Sequence, residues 1–270
     1  MVAGAGRSGH LISAWRAPAR ALFLGRYSPI LYLVLAWEIV TASGVIPETV
    51  LPRFSEVMAA WGRLILSGDL HVHAASSVWR EVAGFSLSVL FGTTAGIAMA
   101  RFRLLRDLFE PLLRLLFPLP KSALIPILIV WLGIGHASKV AVIFLGCILP
   151  VIVSSFNGAR GVDHHLVWSA LTMGTGRRKL LWKVIIPAAL PDILSGTRLA
   201  LAVSFVLLVS SEMLAGNTGL GFLTYFLGEG GDFAGMFAAI FTLTLLGFVA
   251  DRLYLRLMRR ILIWQREGQE

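Results

Sequence analysis

The densest set of residues with chemistry to offer lies in segment 161–191, which reads GVDHHLVWSALTMGTGRRKLLWKVIIPAALP. Asp163 is of the type that caps a helix start, its carboxylate accepting from an unpaired backbone N–H. Leu166, Ala170, Leu171 and Met173 then form a partial apolar stripe at helical spacing. Gly174, Thr175 and Gly176 predict a helix end and a turn. A second short helix is expected next, with Arg177, Arg178, Lys179 and Lys183 on a basic face and Leu180, Leu181, Trp182, Ile185 and Ile186 apolar. Pro187 and Pro191 are expected to close it. Such a helix–turn–helix has two physical uses. It lies among lipid headgroups as an interfacial helix, or it docks a cytoplasmic partner. His164 and His165 are adjacent, so on a helix they point about 100° apart and chelate a metal poorly. They are expected to be interfacial polar residues.

Elsewhere reactive residues are sparse. Asp69, His71 and His73 make a weak metal-type cluster, and a solvated outer loop is the expected account. Glu38 sits in an apolar run and needs a partner or water. Glu212, with Ser210, Ser211 and Asn217, offers polar groups where a gate or a solute path would lie. A wet interfacial carboxylate is the competing account. Gly216, Gly219, Gly221, Gly228, Gly230 and Gly231 suggest a flexible outer loop, partly re-entrant. Cys147 is the single cysteine, so no intrachain disulfide exists, and its apolar surroundings point to inert packing. The sequence has no Gly-x-x-x-x-Gly-Lys-Ser/Thr loop to cradle nucleotide phosphates. It also has no Gly-x-Ser-x-Gly elbow, no His-rich metal set and no paired carboxylates in its apolar stretches. No catalytic, cofactor or metal site is expected on this chain.

The elements that must position these residues are membrane helices. The chain is 57% hydrophobic and 14% charged, against roughly 25% charged in soluble domains. Six segments approach the length of about 20 residues that a crossing helix needs: 27–46, 82–100, 118–134, 140–156, 193–214 and 234–249. The third holds Pro118, Pro120 and Pro126. A kinked helix beginning near Pro120 is expected there, after an amphipathic piece over 104–117. Gly92 and Gly96 permit a close helix contact, within the chain or at a dimer seam. The first twenty residues lack a clean apolar core with a cleavage site, so the first membrane helix is expected to act as its own insertion signal.

Charge orients the bundle. On one side fall four arginines of the N-terminal arm, three after the second span, five Lys or Arg after the fourth and five after the sixth, seventeen of the 24 in all. The other side has four: Arg53, Arg63, Arg80 and Lys139. That bias places both termini in the cytoplasm, and it accounts for the net charge of +9 without nucleic acid. The chain thus divides into a cytoplasmic arm (1–26), a first transmembrane helix (27–46), an outer connection (47–81), a core of five transmembrane helices (82–257) containing loop 161–191, and a cytoplasmic tail (258–270).

Loop 161–191 resembles the coupling motif of binding-protein-dependent ABC importer permeases. In words, that motif is Glu-Ala-Ala, three residues, Gly, nine residues, then Ile-any-Leu-Pro. Gly174 fits the glycine, and Val184, Ile186 and Pro187 fit the closing residues at the same spacing. Ala170 fits the second alanine and Ser169 stands in for the first, while Trp168 occupies the glutamate position. Further stretches are similar to the nitrate, sulfonate and taurine branch: Phe117 to Lys121, Trp131 to Gly135 with Ser138 and Lys139, Gly158 to Asp163, Ser211 to Met213, and Asn217 to Gly221. The resemblance implies an all-α integral membrane protein of the bacterial inner membrane, with about six transmembrane helices and a type I importer core. It implies a homodimer around one pathway, two ATP-binding subunits docked at Trp168, Ser169, Ala170 and Gly174, and an external substrate-binding protein. No cofactor is implied on this chain. Sulfonates, nitrate, taurine or vitamin-precursor-like compounds are the solutes implied. A secondary transporter or channel uncoupled from an ATPase is the alternative class. It would usually show inverted repeats and midplane ionisable residues, and no clear repeat is seen.

Overall fold

A computed structural model describes residues 28–263. The arm 1–26, Tyr27 at the start of the first expected span, and the end of the tail with Arg266 lie outside the described residues. The described residues form helices joined by short turns, with no strand among them. In chain order they are α1 (Ser28–Ala42), α2 (Phe54–Leu66), α3 (Asp69–Arg101), α4 (Arg103–Leu116), a 3-10 turn (Lys121–Ala123) leading into α5 (Leu124–Leu132), α6 (His136–Arg160), α7 (His164–Thr172), α8 (Arg177–Leu180), a π turn (Leu181–Ile185), α9 (Ile186–Leu214), α10 (Leu220–Glu229) and α11 (Phe233–Ile261). Four helical segments are long and apolar enough to cross a membrane: α3, α6, the run Arg177–Leu214 and α11. The pair α4–α5 passes the same test only together, bent by 88°, and α1 is a shorter apolar helix of 15 residues.

The core is α3, α6 and α9, and small residues decide how closely these approach. A Cβ on Gly84 would stand 2.7 Å from Ile143 Cβ, one on Gly92 2.8 Å from Val151 Cβ, and one on Gly96 2.5 Å from the Ile152 carbonyl oxygen. The glycine face of α3 therefore packs on α6 inside one chain, which answers the alternative left open for Gly92 and Gly96. Without water to hide from, membrane helices associate through such close van der Waals contact. Ile143, Cys147, Val151, Ala200 and Leu208 fill the seam with α9. Cys147 is wholly buried there, its Sγ donating to the Ala200 carbonyl at 3.3 Å.

Around this core the outer helices are tied by single polar contacts. Trp61 Nε1 donates to Thr242 Oγ1 at 3.0 Å, joining α2 to α11. Tyr254 donates to the Leu194 carbonyl at 2.8 Å, joining α11 to α9. Glu38 finds its partner at the start of α2, accepting from Ser55 N at 3.1 Å and Ser55 Oγ at 2.7 Å. Gly158 and Tyr254 meet the start of α9, while Arg80 meets the start of α6 and the end of α9. α3, α6 and α11 therefore run one way and α9 the other, and Arg101, Arg160, loop 161–191 and the arginines of late α11 collect at one end.

Three elements differ from the sequence expectation. The second span starts at Asp69, not at 82, so Asp69, His71 and His73 lie in the first turns of α3 and not in a loop. The Gly-rich stretch 216–231 contains α10, whose Leu220, Gly221, Leu223 and Thr224 are buried. Pro187 and Pro191 do not close the basic helix: they lie within the first turns of α9, where a missing N–H is tolerated or a single bond is lost.

The α3–α6 contact yields a stability prediction. Gly92→Leu must displace Val151 or part the helices, and overpacking of this kind costs about 1–3 kcal/mol. Its thermal unfolding midpoint in detergent is expected below that of the parent. Gly62→Leu, which has no heavy atom near its Cβ position, is expected to melt near the parent. Equal melting of the two variants would contradict the seam.

Candidate functional site

Two polar sites stand at opposite ends of the bundle. At the arginine-rich end, Asp163 caps α7 by accepting from His165 N at 2.8 Å. The helix stops in a Schellman arrangement, with Thr175 N donating to the Ala170 carbonyl at 3.0 Å and Gly174 N to the Leu171 carbonyl at 2.9 Å. Gly174 takes a φ of +78°, the left-handed region that glycine enters without penalty. No residue of α7 is buried. Trp168 is 62% exposed and Met173 85%, with Leu166 and Leu171 exposed beside them. The rings of His164 and His165 both sit against Trp168, at centroid distances of 6.3 and 6.1 Å. Ser169 is exposed and Ala170 half-buried, while Val184, Ile186 and Pro187 are half-buried in the π turn and the start of α9. The structure thus brings all seven motif positions into one unit. Trp168, Ser169 and Ala170 are on α7, Gly174 is at the apex, and the closing three are at the root of the spanning helix.

At the other end Glu212 is fully buried. Arg80 Nη1 donates to its Oε1 at 2.6 Å, with side-chain exposures of 2% and 0%. Ser77 Oγ lies 2.9 Å from both carboxylate oxygens, and Gly221 N donates to Oε2 at 2.9 Å. The carboxylate therefore sits at the start of α10, where unpaired N–H groups and the helix dipole favour negative charge. Arg80 spends its other donors on Thr218: Nη1 on the carbonyl at 2.8 Å and Nη2 on Oγ1 at 2.7 Å. Its Nε donates to His136 Nδ1 at 3.2 Å. His73 Nδ1 accepts from Gly219 N at 3.0 Å, and Ser77 Oγ from Leu220 N at 2.8 Å. Lys139, also buried, donates to the Ala215 carbonyl. Gly219, at φ +115°, lets the chain pass the Glu212 carboxylate, which a Cβ there would strike.

Of the residues proposed as a path or gate, then, Glu212 is the centre of an interior network. Ser210 and Ser211 turn their hydroxyls back onto the Val206 and Leu208 carbonyls of their own helix, at 2.8 Å each. Asn217 is exposed in the turn. Sequence reasoning missed Ser77, Arg80, Lys139, His136 and Thr218. The available signal was Arg80 beside Glu81, three residues from Ser77 and four from Gly84. That is one helical face carrying a charge into an apolar run. Among the described residues, no group of three or more His, Cys, Asp or Glu is placed to hold a metal ion.

The family described as "Binding-protein-dependent transport system inner membrane component" matches residues 88–263. Over 262 residues the chain is 31% identical to the taurine transport system permease protein of Escherichia coli, covering 94% of each protein. It is 33% identical over 234 residues to a Bacillus subtilis protein named for aliphatic sulfonates transport, covering 86% of this chain and 84% of that one. In fold it is similar to a chain of the MetNI methionine ABC transporter in an inward-facing crystal form, with a TM-score of 0.57 at 18% identity. That likeness covers 70% of this chain and 96% of that one.

The outer network makes its own prediction. Arg80→Met leaves the Glu212 carboxylate buried without its cation, a loss of about 3–5 kcal/mol. The double variant Arg80→Met/Glu212→Met removes both charges and is expected to recover part of that loss. Thermal unfolding of the purified protein separates the cases, and a double variant no more stable than the single one would contradict an internal ion pair.

Proposed function

We infer that this chain, which belongs to the binding-protein-dependent transport system inner membrane component family, is the membrane-spanning permease subunit of an ATP-driven importer. It is a multi-pass, non-enzymatic component of the inner membrane, and ATP hydrolysis resides on a separate subunit. We carry the reading further. Two ATP-binding subunits engage the arginine-rich end, which faces the cytoplasm. A second copy of the chain completes the pathway. An external binding protein delivers the solute at the Arg80–Glu212 end. Small sulfonates, taurine among them, are the proposed solute class, supported by what the relatives are named for; nitrate and vitamin-precursor-like compounds are the alternatives a binding assay on the receptor would separate.

The observation that carries this reading is α7. A helix with Trp168, Leu171 and Met173 exposed and none of its residues buried presents an apolar face that needs a cover. It is rooted directly in a membrane-spanning helix, so a partner seated on it would push on the pathway itself. The Lys and Arg bias supports a cytoplasmic partner.

Gly174 supplies the test. Nothing lies within 4 Å of its Cβ position, so a side chain strains the turn without striking the rest of the fold. Gly174→Glu is expected to insert and fold, to co-purify less ATPase, and to abolish uptake. An interfacial helix predicts a modest loss of membrane anchoring with near-normal uptake, and a channel or secondary transporter predicts uptake without any ATPase. Normal assembly with normal uptake would remove the coupling role. A cysteine replacing Gly176 is expected to react with impermeant reagents only after the cells are opened; labelling in intact cells would invert the topology.

A further inference from the structure

The arginine-rich end holds a feature that transport leaves unused. α4 is amphipathic: Leu104, Leu108, Leu112 and Leu115 form an exposed apolar arc, and Arg103, Arg106, Asp107 and Arg114 lie on the opposite one. No residue of the helix is buried. It leaves α3 at the extended Phe102, and the Lys121–Leu132 segment departs from it at 88°. Leu105 and Leu113 touch the cluster of Met99, Ile152 and Phe156. α4 therefore lies across the ends of α3 and α6 instead of running alongside them, as an in-plane helix at a membrane boundary does.

Between α4, α3 and α6 opens a groove of about 550 Å³, with Phe91, Ala95, Leu105, Phe109, Phe144 and Ile148 among its walls. The hydroxyl on its wall, that of Thr94, is turned to the Leu90 and Phe91 carbonyls of its own helix. The groove thus offers its occupant dispersion contact and no hydrogen bond. Its rim is cationic. Arg106 follows groove residue Leu105 in the chain, Arg101 lies two residues after groove residue Met99, and Arg103 lies between the two arginines. Arg103 and Arg106 share one carboxylate, Asp107, at 3.5 Å each, while Arg114 takes Glu110 at 2.7 Å. Arg101 has its guanidinium 5.8 Å from the Phe102 ring centroid. Arg103 and Arg106 therefore share one aspartate, and Arg101 pairs with no carboxylate among the described residues.

We propose that this groove and its rim form a site for an anionic phospholipid, an acyl chain in the groove and the phosphate against Arg101, Arg103 and Arg106. Each half of the site selects a different part of that ligand. An apolar trough at membrane depth suits a hydrocarbon chain, and basic pockets between spanning helices on the cytoplasmic side suit anionic headgroups. Guanidinium groups grip phosphate in a bidentate fashion that a zwitterionic headgroup, with its own cation, opposes. The basic stretch beside the trough, and not the trough's apolar lining, is what favours an anionic lipid over an apolar helix as the occupant.

The test is lipid retention by the full chain purified from bacterial membranes in mild detergent, with co-purified lipid measured by mass spectrometry. Arg101→Gln/Arg103→Gln/Arg106→Gln is expected to retain at least five-fold less phosphatidylglycerol and cardiolipin per chain, with phosphatidylethanolamine unchanged. Ala95→Trp, which fills the trough and keeps every charge, is expected to lose the same lipids. Arg256→Gln/Arg259→Gln, at the end of α11, is expected to match the parent. Unchanged anionic lipid in both groove variants overturns the site, as does retention without headgroup preference or a crosslink from the groove to a second protein chain. The readout needs no ATP, solute or uptake, so it stands or falls apart from the transport reading.

Discussion

A charge buried in a membrane bundle must be answered inside the bundle, and the Arg80–Glu212 pair is where this fold meets that requirement. Taking either group alone out of water costs several kcal/mol. Together they are affordable only because Ser77, Thr218 and the amides at the start of α10 take up the remaining donors and acceptors. Much else follows from this. α3 must run straight and early enough to carry Ser77 and Arg80 to the level of Glu212, which is why it begins at Asp69. The chain after α9 must fold back over the carboxylate, which is why Gly219 and Gly221 stand where side chains would collide with it. The network thus fixes four helices, α3, α6, α9 and α10, and one turn relative to one another, at one end only.

The other end is built on the opposite principle. Its polar groups are many, but they stand at the surface. Arg198 and Asp251 form a bidentate pair at 2.8 and 3.2 Å, but on an accessible surface, where such pairs contribute little to stability. α7 is held by its Asp163 cap and its Gly174 turn, with no buried side chain of its own. Regions with few buried contacts open at low free energy. One end of the bundle is locked by its interior network and the other carries its polar groups at the surface, a division that suits the coupling role proposed for α7.

Much of this was legible in sequence because membrane burial leaves strong periodic marks. The apolar runs of α6, α9 and α11, the amphipathic α4, the bend at Pro118 and Pro120, and the Gly174 turn all follow from local rules about length, proline and glycine, whereas α1 is a 15-residue helix, shorter than the span expected there. The misreadings share one cause: local rules do not see partners. Residues 69–81 hold Asp69, His71, His73, Arg80 and Glu81 and look like a wet loop. They are helical because a distant carboxylate and the α10 amides satisfy Ser77, Arg80 and His73. The six glycines of 216–231 look like flexibility. Two of them, Gly219 and Gly221, instead allow close passage past Glu212, and Leu220 and Leu223 anchor α10 in the core. Pro187 and Pro191 look like stops, yet the helical run continues through both, with Pro191 inside α9.

That last feature joins the two ends. Arg177–Leu214 is a continuous helical run of 38 residues, broken in register only by the π turn Leu181–Ile185, and at 1.5 Å per residue it spans about 57 Å. Its first turns carry the closing residues of the coupling motif, and its last turn carries Glu212. A rod of this kind transmits displacement only if it is stiff along its length and compliant at chosen points. The stiffness comes from the seam with α6, where Ala200 and Leu208 are buried against Cys147 and Val151. The compliance is confined to the first fifteen residues, where the π turn, Pro187 and Pro191 interrupt the regular hydrogen-bond ladder, the sites at which helices bend. In the coupling role proposed for α7, a partner pressing on it would meet a hinge before it met the core. What passes the hinge arrives as motion of a rigid segment whose far end is fixed to Arg80 by 2.6 Å of charge-assisted contact. In that proposed role the displacement would load a buried ion pair that also holds Ser77, Thr218 and the start of α10, so it could not move without disturbing the turn over Glu212.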